Sequence, residues 1–346
     1  MKIITIGLLL PLFGGMASCQ KVTEKSYGYR VLVVDDEGAP VEDASVKAMR
    51  YSLIQDSPIP AAKSVPVYRS TDENGVASIL FDSAQTPGGV AVSKNAYYPS
   101  TAPANWIFPE GFWDNPTSHL GKTAKAEMEI ILRPARNPIP MHAYNNAGAM
   151  DQIAKIPELN KEYGYDLKMS EPLPPLGKGL VADFTFVVAG SHDGESKYDL
   201  KLELTFSNPF DGVVEFLTPQ RTAVREPIRT GSILISDYEA PLGGYGRKIT
   251  RSLRQDGIGN PRETDVDFHR NFYFRTRTVT DASGKVLSAH YGKIYGDFQF
   301  DPVNEDWGYL STLALVTTYF NPTPNDRNVE FDPNRNLNAD SNVQQP

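Results

Sequence analysis

The sequence predicts a mainly all-β protein, with an N-terminal seven-strand-type β-sandwich followed by a larger β-rich domain that is sandwich-like or barrel-like. Short β-branched and apolar runs recur along the chain, and turns rich in Gly, Asp and Asn separate them. The 346 residues include 27 Gly, 27 Pro, 17 Tyr and 16 Phe, which fits many turns and aromatic-rich strands. Helical patterns are scarce. Together these observations favour stacked sheets over helical or α/β architectures.

The first residues of the chain follow the pattern of a secretory signal. Lys2 precedes an apolar run over residues 3–13, which is too short to cross a bilayer. Small residues then lead to Cys19, the only cysteine. This order resembles the lipobox of bacterial lipoproteins, although Met16 stands where Leu is usual. The resemblance implies that residues 1–18 are removed as a signal peptide and that Cys19 is lipidated; the alternative is an ordinary secreted protein cut slightly earlier.

Lipidation of Cys19 predicts a membrane-anchored protein whose partner is the bilayer itself. Each buried methylene contributes about 0.8 kcal/mol, so two or more acyl chains anchor a protein stably. Gln20, rather than the Asp of inner-membrane retention, follows Cys19. In lipoproteins this implies the outer membrane, on either the periplasmic face or the cell surface. Residues 19–27 would then be a lipidated tether.

The predicted first sandwich spans residues 28–135. Turns at 35–41 and 71–75 carry Gly, which supplies a positive φ, and acidic side chains that face water. Six candidate strands alternate with such turns: 29–34, 44–50, 65–70, 76–81, 90–94 and 126–132.

Three turn motifs in this part of the chain carry a family resemblance. Residues 38–41 (GAPV), 71–75 (TDENG) and 92–99 (VSKNAYYP) resemble the carboxypeptidase regulatory-like, or transthyretin-like, domain. Ala96 stands where that family usually has Gly. The resemblance implies an accessory β-sandwich with no catalytic residues of its own.

The rest of the chain is divided by its prolines. Residues 136–178 contain proline-rich segments and are predicted to be a linker with a short helix or turns. Residues 179–337 are predicted to be a β-rich domain of unknown function, and residues 338–346 a disordered tail. The candidate strands of the β-rich domain are 180–189, 198–206, 212–217, 231–236, 271–280, 285–300 and 308–320.

Charge excludes one class of partner. The net charge is −8 and no long basic run occurs, which argues against nucleic-acid binding.

The tryptophans are the candidate ligand-binding residues. Trp106 and Trp113 lie in the aromatic-rich segment 105–114, and Trp307 lies near the C-terminus. Exposed Trp rings stack on sugar rings and on peptides, whereas buried rings would close a sandwich or pack between domains. Both interpretations of segment 105–114 stay open, with burial favoured.

Several motifs have spacings that could support chemistry, but none predicts a catalytic residue, a metal site or a cofactor. Each has an ordinary structural alternative: a hairpin turn, a solvated strand end, a surface loop or a charged sheet edge. The motifs are a His-x-x-Glu pair at His192 and Glu195 with His290 for zinc; Gly177–Ala182 for a dinucleotide; Asp297 with Asp301, or Asp265 with Asp267, for glycoside hydrolysis; Asn325, Asp326, Asp332 and Asn334 for calcium; and Arg270, Arg275 and Arg277 for an anion.

The sequence therefore favours a lipid-anchored envelope protein with a binding, adhesion or assembly role, whose partner is an envelope protein or a glycan. The alternative is a carbohydrate-binding or glycan-degrading protein. A groove lined by Trp106, Trp113 or Trp307 would favour carbohydrate, and two facing carboxylates would favour hydrolysis.

Overall fold

The computed structural model describes residues 27–53, 62–81, 85–102, 127–146, 153–193, 196–218, 231–303 and 305–346. Cys19, Trp106, Trp113 and Glu195 lie outside the described residues. The described part is built from β-strands and 3-10 turns, and it contains no helix long and apolar enough to span a membrane. The strands are β1 (Tyr27–Asp35), β2 (Ser45–Leu53), β3 (Ala62–Ser70), β4 (Val76–Phe81), β5 (Gln85–Ser93), β6 (Tyr97–Tyr98), β7 (Ser100–Ala102), β8 (Glu127–Pro134), β9 (His142–Asn145), β10 (Ala154–Ile156), β11 (Glu162–Asp166), β12 (Glu171–Pro172), β13 (Phe184–His192), β14 (Lys197–Thr205), β15 (Gly212–Leu217), β16 (Gly231–Ser232), β17 (Lys248–Asp256), β18 (Glu263–Thr264), β19 (Arg270–Thr280), β20 (Val286–Pro302) and β21 (Ser311–Phe320).

The first sandwich packs a four-stranded sheet, β4-β1-β8-β6, on a five-stranded sheet, β16-β7-β5-β2-β3. Alternating side chains of both sheets form one apolar core, which includes Val31, Val46 and Ile79. Gly75 closes the turn before β4 at φ +73°, where a Cβ would lie 2.4 Å from the Val33 carbonyl oxygen. Pro99, which has no N–H to donate, separates β6 from β7 where the chain passes between the two sheets.

The second sandwich is larger and packs two six-stranded sheets face to face. One sheet has the order β10-β21-β20-β19-β15, with β9 also paired to β21; the other has the order β12-β11-β13-β14-β17-β18. Phenylalanines from both sheets meet in the core, as where Phe298 packs edge-on to Phe184 at 6.2 Å and lies 5.0 Å from Phe272. The all-β prediction is confirmed, and the second unit is a sandwich rather than a barrel.

Residues 136–178 differ from the prediction of a linker. They supply β9, β10, β11 and β12 to the two sheets of the second sandwich. Tyr165 is buried and stacks on Phe184 at 5.1 Å. These strands are two to five residues long, so each is too short to show its periodicity in the sequence, and their partners lie far along the chain. Residues 147–152, which are most of the segment 146–155 predicted to form a short helix or turns, lie outside the described residues.

The last residues also differ from the prediction of a disordered tail. Val343 is buried, and the carbonyl oxygens of Gln345 and Pro346 accept hydrogen bonds from the hydroxyls of Tyr319 and Tyr295 at 2.9 Å each. Residues 321–346, here called the C-terminal cover, lie over part of the outer face of the β20–β21 sheet. The segment is polar in sequence, and hydrogen bonds from tyrosines of the sheet that it covers hold it in place.

Several contacts join the two sandwiches. Strand β16 pairs with β7 of the first sandwich, although it belongs to the later part of the chain. The Tyr238 ring lies between the guanidinium groups of Arg133 and Arg136, at 4.5 and 4.1 Å from its centroid. The buried Glu330 carboxylate accepts hydrogen bonds from the Tyr98 hydroxyl and from the Arg136 backbone N–H, both at 2.8 Å.

Candidate functional site

A groove lies on the outer face of the second sandwich, beside the C-terminal cover. On β20, Phe298 and Phe300 point into the core, and because side chains alternate along a strand, Gln299 and Asp301 face outward. Asp301 pairs across the sheet with Thr312 of β21, and Thr312 pairs with Lys155 of β10. A polar row across three strands therefore forms the floor at one end of the groove.

Trp307 stands at this end. A 3-10 turn, Glu305–Trp307, follows β20 and carries the indole beside a cavity of 260 Å³ that Trp307 shares with Tyr309, Lys155 and Asp301. The indole ring is 57% exposed and meets the Tyr309 ring edge-on at 6.4 Å. Among the described residues its N–H makes no hydrogen bond. The ring therefore offers a flat apolar face and a free donor to a ligand.

The middle of the groove is a cavity of 400 Å³ between the end of β20 and β18. Arg262 and Asp301 form an ion pair at 2.6 Å, and both side chains are about half exposed. Phe268, on the loop that leads into β19, is 66% exposed at the same cavity. An exposed ion pair contributes little to stability, so these two groups are free to exchange partners with a ligand.

The far end is a cavity of 460 Å³ between the sheet and the C-terminal cover. Its walls come from β20, β21, the loop before β19 and residues 342–345 of the cover. Together the three cavities are called the aromatic groove below.

The sequence identified one residue of the aromatic groove as a ligand-binding candidate, Trp307, and named Asp301 among possible carboxylates. It missed Phe268, Gln299 and Tyr309. An aromatic residue in an otherwise mainly polar loop was the available signal for Phe268. The alternation along β20 was the signal for Gln299, but it leaves open which face is covered.

The proposed carboxylate pairs do not face each other across the groove. Asp297 is fully buried. Its two carboxylate oxygens both accept a hydrogen bond from the Arg251 Nε–H, at 2.9 and 2.8 Å. Asp265 accepts from the Ser252 backbone N–H, and Asp267 accepts from the His269 backbone N–H two residues on. Asp301 is the one acidic residue among the described residues that line the aromatic groove. Within the described ranges, the groove therefore holds a single carboxylate rather than the facing pair that glycoside hydrolysis uses.

The zinc hypothesis finds no support in the described residues. His192 ends β13 and pairs with Tyr198, while His290 lies in the other sheet and stacks on Phe320 at 5.2 Å. The third candidate, Glu195, lies outside the described residues. No group of three or more His, Cys, Asp or Glu in the described ranges is placed to hold a metal ion.

The calcium candidates form turns. Asn325 accepts a hydrogen bond from the Ala289 backbone N–H at 3.1 Å, and Asp332 caps a 3-10 helix by accepting from the Asn334 N–H at 2.9 Å. These side-chain oxygens therefore accept hydrogen bonds that stabilise the C-terminal cover.

The arginines of β19 do not form a common anion site. Arg275 donates to the Phe210 carbonyl and lies over the Tyr245 ring, whereas Arg277 pairs with Asp183 at 2.9 Å. Regular alternation along β19 would place Arg275 and Arg277 on one side of the strand, but they lie on opposite sides. A β-bulge follows Thr276 and Arg277 has a φ of +56°, which turns its side chain to the opposite face.

No protein-family model matches the chain, and no curated protein sequence matches it. The function is therefore inferred from the side chains of the aromatic groove.

Proposed function

We propose that this chain is a lipid-anchored binding protein of a bacterial envelope, and that the second sandwich binds carbohydrate in the aromatic groove. The exposed Trp307 ring beside its cavity carries the proposal. Sugar rings have apolar C–H faces that stack on indole, and hydroxyl edges that hydrogen-bond to polar side chains. The groove offers both kinds of contact within one cavity, because Trp307 adjoins Asp301 and Thr312.

The anchoring part of the proposal is supported by the sequence order around Cys19. Replacing Cys19 with Ala should move the protein from the membrane fraction to the soluble fraction. It should also abolish incorporation of labelled palmitate. Retention of the label by Cys19→Ala would contradict the assignment.

The binding part is tested with the full chain in mild detergent, screened against immobilised neutral and acidic glycans. Trp307→Ala should weaken binding about 30-fold, because removing a stacked Trp from an interface typically costs about 2 kcal/mol. Trp307→Phe keeps an aromatic face and should recover part of the affinity.

The matched control is Leu180→Ala, which removes an even more exposed apolar side chain outside the groove. Equal affinity of Trp307→Ala and Leu180→Ala for a bound glycan would exclude the groove as the site. Binding of an envelope protein without any glycan would instead favour an assembly role.

A further inference from the structure

The aromatic groove is one continuous channel. The cavity beside Trp307 and the middle cavity share Asp301 as a wall. The middle cavity and the far cavity share Phe268 and Gln299. A ligand lying along the groove can therefore touch Trp307, Phe268 and the far cavity at the same time.

The far cavity has a distinctive chemistry. None of its lining residues is acidic, basic or a histidine. Six of the lining side chains are amides, and each amide both donates and accepts hydrogen bonds, as a hydroxyl group does. These are Asn145, Asn271, Gln299, Asn342, Gln344 and Gln345.

Most of these amides already have partners within the protein. Gln344 donates to the Asn342 side-chain oxygen, and Gln345 donates to the Ile233 carbonyl. Asn271 accepts from the Gly296 N–H and donates to the His269 carbonyl, both at 3.0 Å, so it belongs to the wall. Gln299 makes no side-chain hydrogen bond within the described part of the chain. Its amide stands where the middle and far cavities meet, and it is free to bind a ligand there.

We infer that the groove binds a linear, uncharged saccharide chain lengthwise, with one unit stacked at Trp307, a later unit at Phe268 and the hydroxyls of further units on Gln299 and the amide cavity. This inference rests on the proposed function and adds the class of glycan and its mode of binding. A carboxylated sugar would lose its hydration in the far cavity without meeting a cation, which is costly. An extended peptide draws its affinity mainly from main-chain hydrogen bonds, whereas these walls offer side-chain amides and aromatic faces.

The test measures the affinity of the full chain in detergent for neutral glucan, mannan and xylan oligosaccharides of two, four and six units. Oligogalacturonides of the same lengths and a hexapeptide library serve as the other probes. For the bound neutral series, affinity should rise at least tenfold from two to six units. Oligogalacturonides of six units should bind at least tenfold more weakly than the neutral hexamer.

Gln299→Ala should lower the affinity for the neutral hexamer about tenfold, the effect of one lost hydrogen bond of about 1.4 kcal/mol, and should leave the dimer unchanged. Asn74→Ala, at an exposed turn of the first sandwich, is the matched amide control. Circular dichroism serves as the control for whether each variant is folded.

The outcomes separate the two proposals. Absence of binding to every glycan overturns the proposed function. Glycan binding with no dependence on length, with equal affinity for oligogalacturonides, or with no effect of Gln299→Ala on the hexamer overturns the lengthwise neutral chain and leaves the Trp307 site standing. Preferential binding of peptides overturns both.

Discussion

Replacing Asp297 with Ala tests whether this carboxylate is part of the core or part of a site. The side chain has no exposed surface and lies 2.8 Å from the Arg251 guanidinium, itself only 8% exposed. It also accepts hydrogen bonds from the backbone N–H groups of Asp267 and Phe298 at 2.9 Å each. Arg270 approaches the same carboxylate at 3.4 Å. The ion pair therefore connects the two sheets of the second sandwich inside their core.

The expected loss follows from what Asp297→Ala leaves behind. Arg251 would remain in the core without its anion, and breaking a buried pair in this way costs about 3–5 kcal/mol. Asp301 lies four residues along the same strand and also pairs with an arginine, but both partners are about half exposed. Asp301→Ala should therefore cost only about 0–1 kcal/mol. A typical domain is stable by about 5–15 kcal/mol, so the first change removes a large share of that stability.

Urea unfolding followed by intrinsic fluorescence measures both variants against the wild type. Replacing the pair together, as Arg251→Met with Asp297→Leu, should recover most of the loss, because apolar side chains substitute well for a buried ion pair. If Asp297→Ala and Asp301→Ala destabilise the protein equally, the interpretation of Asp297 as a structural carboxylate is wrong.

Two further predictions concern buried ionisable side chains near the C-terminal cover. Burial, and secondarily Arg133, lower the pKa of Lys293 well below its ordinary value. Below pH 10.5 the amine therefore takes up a proton when the protein unfolds. The free energy of unfolding consequently falls as the pH falls from 10.5 toward the lowered pKa of the folded state. Lys293→Met should remove up to about 1.4 kcal/mol per pH unit from the slope of unfolding free energy in the range just below pH 10.5, and an unchanged slope would refute a neutral amine. Glu330→Ala should lower the free energy of unfolding by about 1–3 kcal/mol, since the Tyr98 hydroxyl and two backbone N–H groups lose their acceptor. Thermal unfolding of Glu330→Ala with the Tyr98→Phe variant as comparison checks this, and an unchanged midpoint would contradict it.

Much of the first sandwich could be predicted because its signals are local. The prediction of a strand over 76–81 coincides with β4, and the turn before it needs Gly75 because a Cβ there would meet the Val33 carbonyl. In the second sandwich, a tight turn likewise joins the strands predicted over 271–280 and 285–300, with the Gly284 N–H donating to the Asp281 carbonyl at 3.0 Å. Such turns depend on φ and on side-chain bonds over a few residues, which the sequence records directly.

The candidate site was only partly predictable because its residues are distant in sequence. Trp307 could be named as a candidate, but its exposure depends on the 3-10 turn that carries it away from the core. Phe268 and Gln299 become neighbours because β20 extends past β19 toward the loop that leads into it. No local sequence pattern specifies that these two residues become neighbours.

The sequence by itself determined the β class and most long strands, since alternation and turn chemistry are properties of neighbouring residues. The tertiary structure alone decided which part of the outer face of the β20–β21 sheet stays open. The C-terminal cover packs on Tyr295 and Tyr319 and leaves Gln299 and Asp301 uncovered, although all four side chains belong to adjacent strands of one sheet. Only long-range packing distinguishes a covered stretch of that face from an open one.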